Sequence, residues 1–164
     1  MEAAMTDSRE IRLIAFRVGS ESFVLDIMAV RQIVVYAGSR PVPKAPDFIE
    51  GITILRNEVI PIIDLRSRLF PKLPPGEGQP FVLITKTKSG VLGLKVDEVQ
   101  RILRVDTGSI LPPPPIVRGL KGRLFIGVIT VDDEMYLVID LEAILSQEEQ
   151  KTLAEVSLSP AGAA

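Results

Sequence analysis

Apolar residues along most of this chain recur with a period of two, the signature of strands that bury one face. Ile11–Val18 and Phe23–Ile27 alternate in this way on either side of Gly19–Ser22 and predict a hairpin. The same pattern predicts hairpins from Gly51–Leu55 with Val59–Ile63, from Phe81–Thr87 with Val91–Val96, and from Leu124–Val131 with Met135–Ile139. Their turns fall on Arg56-Asn57-Glu58, Lys88-Ser89-Gly90 and Asp132-Asp133-Glu134, where Asn, Asp and Gly tolerate turn geometry. Short helical pieces are expected at 28–34, 65–70 and 97–102. A longer C-terminal helix is expected at 140–155, with Leu141, Ile144 and Leu145 along one side. Pro/Gly-rich residues 71–79 and residues 106–115, which end in four prolines, read as connections. Residues 1–10 read as a disordered N-terminus, and 151–164 as a tail that frays beyond Leu158.

The pattern repeats. One fixed offset lays Gly51 on Gly127, Glu58 on Glu134, Ile63 on Ile139, Asp64 on Asp140, Leu65 on Leu141 and Leu69 on Leu145. A second offset lays Leu25 on Leu94, Val30 on Val99 and Ile33 on Ile102. The domain of residues 11–150 is therefore expected to hold two tandem copies, about 11–70 and 80–146, each a hairpin, short helix, loop, hairpin and short helix. The expected fold class is mostly β: two small five-stranded SH3-like β-barrels sharing a hydrophobic seam, with short helices and a C-terminal helix. A single two-sheet sandwich is the alternative. Asp64 and Asp140 follow a strand and precede a helix, which makes them N-caps.

Composition narrows the chemistry. Of the 164 residues, 46% are hydrophobic but only 5% aromatic, so the core is aliphatic. No apolar run reaches the ~18–20 residues of a spanning helix, and Met1–Glu10 has no apolar stretch of the secretory kind. A soluble, cytoplasmic protein with no direct membrane insertion is expected. Nineteen basic against 21 acidic residues leave a net charge of −2, which offers no field for a phosphate backbone. Cys, His and Trp are absent, which removes disulfides, thiolate nucleophiles, imidazole bases and the usual zinc sites. No cofactor and no metal is expected.

Three motifs compete for the remaining chemistry. Asp106-Thr107-Gly108-Ser109 matches the tetrapeptide of aspartic proteases, but the repeat offers no second carboxylate, so an enzyme of that type requires a homodimer. Otherwise Asp106 caps a turn. Lys86, Lys88, Arg101, Arg104, Arg118, Lys121 and Arg123 make the second copy locally basic, either a solvated face or a small-barrel nucleic-acid platform; without interleaved aromatics no nucleic acid is expected as partner. Pro112–Pro115 reads as a stiff connection or a polyproline ligand. Arg56, at a hairpin tip where the other copy carries Asp132, is either a solubilising charge or a partner contact.

The stretch from Phe48 to Arg66, with Glu50-Gly51, Leu55-Arg56-Asn57 and Ile60-Pro61-Ile62-Ile63-Asp64-Leu65, resembles the signature of CheW-like chemotaxis coupling proteins. Leu25-Asp26-Ile27-Met28-Ala29-Val30-Arg31-Gln32-Ile33, Val91–Val99 and Ile139-Asp140-Leu141 extend the similarity over roughly 11–147. Where the family has Asn-Leu-Arg-Gly, this chain reads Ile54-Leu55-Arg56-Asn57, and Gln32 stands where an acid is common. The resemblance implies two small barrels and a non-enzymatic scaffold. Such an adaptor couples the cytoplasmic tip of a methyl-accepting chemoreceptor to the regulatory domain of a chemotaxis histidine kinase, in membrane-associated or cytoplasmic arrays. It places receptor contacts at Val30, Gln32, Ile33, Gly51, Arg56 and Asn57, with Arg56 facing acidic groups. It places kinase contacts at Phe81, Gly93, Val99 and Ile102.

Overall fold

The computed structural model describes residues 9–113, 124–146, 149 and 151. Its strands are β1 (Glu10–Val18), β2 (Glu21–Asp26), β3 (Val30–Val35), β4 (Ile49–Leu55), β5 (Glu58–Asp64), β6 (Phe81–Thr87), β7 (Gly90–Val96), β8 (Glu98–Asp106), β9 (Phe125–Val131) and β10 (Glu134–Ile139). One short helix, α1 (Leu65–Leu69), follows β5, and 3₁₀ turns occupy Ile27–Ala29, Thr107–Ser109 and Leu141–Ala143. All four expected hairpins are present. The helix at 65–70 is α1. Of the helix expected at 140–155, the 3₁₀ turn is described, while most of the remainder, the 151–164 tail, Pro114, Pro115, Arg118, Lys121 and Arg123 lie outside the described residues.

Two expected helices are strands: 28–34 is a 3₁₀ turn leading into β3, and 97–102 opens β8. Each pairs through a register shift, between Val30 and Gln32 in the β3–β6 ladder and between Ala15 and Phe16 in the β1–β8 ladder. A bulge sets two residues against one and breaks the alternation. Val30–Ile33 and Val99–Ile102 consequently show an i, i+3 spacing that imitates a helix.

The strands form two five-stranded sheets, ordered β8-β1-β2-β10-β9 and β3-β6-β7-β5-β4. The hairpins are antiparallel, while β2 runs parallel to β10 and β5 parallel to β7. The described residues of Met1–Ala29 and Glu98–Ile144 make one compact unit, and those of Val30–Asp97 and Leu145–Ala164 a second. Neither unit coincides with a sequence copy. Each sheet combines the first hairpin of one copy with the third, fourth and fifth strands of the other.

In both units the chain after the third strand returns to the fourth. Arg40 bridges Ile52 in the second unit, and Leu111 bridges Val128 in the first. The repeated glycines mark these crossings. A Cβ on Gly51 would lie 2.6 Å from Ser39 Oγ and 2.7 Å from the Arg40 carbonyl; one on Gly127 would lie 2.4 Å from the Leu111 carbonyl and 2.6 Å from Ile110 Cγ2. The crossing backbone leaves no room for a side chain there. The first unit's core joins Leu13, Ala15, Val24, Leu103, Val105, Ile129, Tyr136 and Val138; the second's joins Ile60, Ile62, Val82 and Ile84.

Candidate interaction site

The β4–β5 loop has only two residues, and both are left-handed: Arg56 at φ 51° and Asn57 at φ 65°. Such a turn matches the twist of the flanking strands, but it suits Asn, Asp and Gly. Asn57 is adapted to it. Arg56 is not, and its Cβ costs on the order of 1 kcal/mol there. The counterpart turn carries Asp132 at φ 53° and Asp133 at φ 66°, residues of the tolerant kind.

The two turns also differ electrostatically. In the first unit Arg101 of β8 reaches the opposite hairpin, with Nη1 3.3 Å from Asp132 Oδ2 and Nη2 donating to the Tyr136 hydroxyl at 3.2 Å. The Tyr136 hydrogen bond, aided by Asp132 against some desolvation, raises the Arg101 pKa. In the second unit the equivalent edge-to-tip pair is Arg31 of β3 with Glu58, at 3.4 Å. The acid has moved two positions along the hairpin. Arg56, which occupies the place of Asp132, is exposed and has no ion-pair partner among the described residues.

All six receptor-contact candidates lie in the second unit, but not on one face. Gln32 pairs with Ile84 and Ile33 with Leu83, so their side chains point to opposite sides of the sheet. Val30 and Gln32 are half-buried, while Ile33 is 42% exposed. Gly51 is buried beneath Ser39 and Arg40 and is a packing position. Arg56 and Asn57 are exposed at the tip, near the start of β3 through the Arg31–Glu58 pair. Arg31 itself was not among the candidates; its signal is a lone cation within the apolar run 27–35. Ile54 on β4 is a further exposed apolar residue of this unit, 69% exposed.

The kinase-contact candidates divide between units. Phe81 and Gly93 belong to the second, Val99 and Ile102 to the first. Phe81 and Val99 are half-buried, and Ile102 is 53% exposed. Gly93 is buried, and a Cβ there would lie 2.7 Å from Val82 Cγ1 and 2.8 Å from Ile62 Cδ1. Its smallness serves the core.

The competing chemistry finds no support. Asp106 accepts the Gly108 amide at 2.9 Å as the cap of the Thr107–Ser109 turn, the capping role and not half of a dyad. Asp64 and Asp140 cap likewise, accepting from the Arg66 and Glu142 amides. Among the described residues no group of three or more acidic side chains is placed to hold a metal ion.

Two five-stranded sheets, each with two tight hairpins, define a β-rich module whose distinctive chemistry lies at the tips of β4–β5 and β9–β10. The sequence profile of the CheW-like domain matches residues 12–149. Chemotaxis protein CheW of Rhizobium meliloti (strain 1021) is 35% identical over 139 residues, covering 85% of this chain and 90% of that protein. Protein FrzA of Myxococcus xanthus is 30% identical, covering 88% and 91%. The crystal structure of scaffolding protein TtCheW from Thermoanaerobacter tengcongensis superposes with a TM-score of 0.78 at 30% identity, covering 86% and 91%. The chain belongs to the CheW-like family of chemotaxis coupling proteins.

Proposed function

We propose that this protein is a non-enzymatic scaffold that couples the cytoplasmic tip of a methyl-accepting chemoreceptor to the regulatory domain of a chemotaxis histidine kinase. One observation carries the receptor half of this reading. Arg56 has no ion-pair partner among the described residues and sits on a strained backbone, at a position where the internally related unit has an ion-paired Asp132 of the tolerant kind. Backbone strain clusters at ligand clamps and contact sites, and strain kept at an exposed cation supports this reading.

Arg56 pairs with acidic groups of the receptor tip, and Ile33 buries apolar side chains of its helical hairpin. Val30 and Asn57 flank this contact, Gln32 supports it from the opposite face of β3, and Gly51 keeps the crossing of Ser39 and Arg40 closed. Phe81 in the second unit and Val99 and Ile102 in the first are the kinase contacts, and Gly93 is a packing position of the second unit's core. No described helix is long and apolar enough to cross a membrane. The protein acts in the cytoplasm and reaches arrays through its partners, where individually modest contacts are strengthened by multivalency.

Calorimetric titration of the purified protein against a receptor tip and a kinase regulatory domain tests the reading. Arg56→Ala is expected to weaken receptor binding about tenfold or more, the scale of a lost charge-assisted contact, while kinase binding stays within about twofold. Equal loss of both, or loss of folding, removes Arg56 from the receptor site.

A further inference from the structure

A half-open cavity of about 220 Å³ lies in the second unit, between the end of β3 and β4. Its walls are Val34, Ala37 and Gly38 on one side and Thr53 and Leu55 on the other, with Ile84 on the floor. The first unit shows what belongs in this space. The Arg40–Ile52 and Leu111–Val128 bridges align Ser39 with Ile110. The Thr53–Ile60 and Ile129–Tyr136 pairs align Thr53 with Ile129. In the first unit Ile129 is buried and Ile110 packs against the same core. In the second, Ser39 is instead turned to the Tyr36 hydroxyl at 3.0 Å, and Thr53 is smaller and polar. Of the two differences, Thr53 lines the cavity, so the branched aliphatic side chain that Ile129 buries in the first unit is missing there in the second.

Two exposed cations adjoin the lining residues along the chain. Arg40 follows Gly38 by two residues, Arg56 follows Leu55 directly, and both are exposed. The nearby acids are already engaged, Glu50 with Lys95 at 3.5 Å and Glu58 with Arg31.

We propose that this cavity is an acceptor site for one branched aliphatic side chain, Ile or Leu, carried by an acidic segment of a partner protein. The guest completes the second unit as Ile129 completes the first. The cationic rim selects a host segment with carboxylates beside the guest. The site rests on the receptor reading only through the charge of Arg56, and the short probes read the cavity without a receptor.

The test uses short probes and methyl-resolved NMR on the intact protein. Ac-Glu-Ile-Glu-amide is expected to shift the Val34, Leu55 and Ile84 methyls saturably. Ac-Glu-Ala-Glu-amide should bind about tenfold or more weakly, since it buries several fewer methyl(ene) groups. Ac-Lys-Ile-Lys-amide should also bind more weakly. Thr53→Ile, which restores the first unit's residue, should reduce the isoleucine probe to the alanine level. Thr53→Val, which preserves the volume, should leave its binding intact. The proposal is overturned by any of four results: no saturable shift at those methyls, equal affinity for the two acidic probes, unchanged binding in Thr53→Ile, or a lysine probe that binds as well.

Discussion

Four aspartates do the same local work. Asp26, Asp64, Asp106 and Asp140 each accept the amide two residues ahead, at 2.9–3.1 Å, where a strand gives way to a helical turn. Such caps satisfy amides that the first turn cannot. Asp64 and Asp140 are recognisable from sequence because each sits between a strand pattern and an apolar turn. Asp106 is harder, since its tetrapeptide also fits a protease. Gly51 and Gly127 are visible as repeat identities, yet the reason for them is a crossing segment far along the chain. Gly51→Ala and Gly127→Ala are each expected to destabilise by about 1–3 kcal/mol, because a Cβ there displaces backbone. Urea unfolding measures this, and an unchanged midpoint would show that the crossings yield. Arg56→Asn should act in the opposite direction, raising stability by a few tenths to about 1 kcal/mol by relaxing the turn while receptor binding falls. A variant both less stable and fully binding would contradict that trade.

At the scale of elements, the best-read segments are those with unbroken alternation. β3 and β8 are the poorly read ones: a bulge disturbs their pattern, and as edge strands they bury only part of their surface. The C-terminal segment has clearer chemistry than its apolar pattern indicates. Ser146 Oγ accepts the Glu149 amide at 3.1 Å, and Glu149 Oε1 accepts the Ser146 amide at 2.8 Å, a reciprocal capping box. Arg68 of α1 grips the same carboxylate through two hydrogen bonds, at 2.8 and 2.7 Å, while stacking over Phe48 at 5.6 Å. Partial burial works to raise the Glu149 pKa, but the Ser146 amide and Arg68 outweigh it and hold the carboxyl below its ordinary value. A depressed pKa means that the folded state favours the ionised form. The stabilisation is therefore complete above the ordinary carboxyl pKa of 4.5 and fades as pH falls through the folded-state value. Glu149→Gln should lower stability near neutral pH by on the order of 1 kcal/mol. The gap between variant and parent should close as pH falls from 4.5 through the lowered folded-state value, as thermal melts across pH would show. A gap that persisted in acid would mean that shape, and not charge, joins Glu149 to α1.

The whole molecule is where sequence reading stops short. The repeat reveals two copies but not their division of labour, because the hydrophobic pattern, caps and turns are the same whether a copy folds upon itself or trades its first hairpin. What decides the matter is the pair of parallel junctions, β2 with β10 and β5 with β7. Parallel neighbours lie far apart in sequence and leave no local signature. The traded hairpins have a direct consequence. β6 and β7, from the second copy, form the middle of the second unit's sheet, and β1 and β2, from the first, the middle of the first unit's. Neither 11–70 nor 80–146 then has a sheet to complete alone, since removing the other copy takes two adjacent strands from its interior and leaves buried Leu83, Ile84 or Phe23, Val24 positions unfilled. A protease site placed in the exposed Pro/Gly connection of residues 71–79 separates the copies without touching a strand. The nicked protein is expected to remain folded as a non-covalent pair, to dissociate only in denaturant, and to regain its β spectrum when the two purified pieces are mixed. Each piece alone should show a disordered circular dichroism spectrum. Two pieces that fold independently would mean that each copy can close its own sheet, and the traded arrangement would then no longer be a condition of the fold.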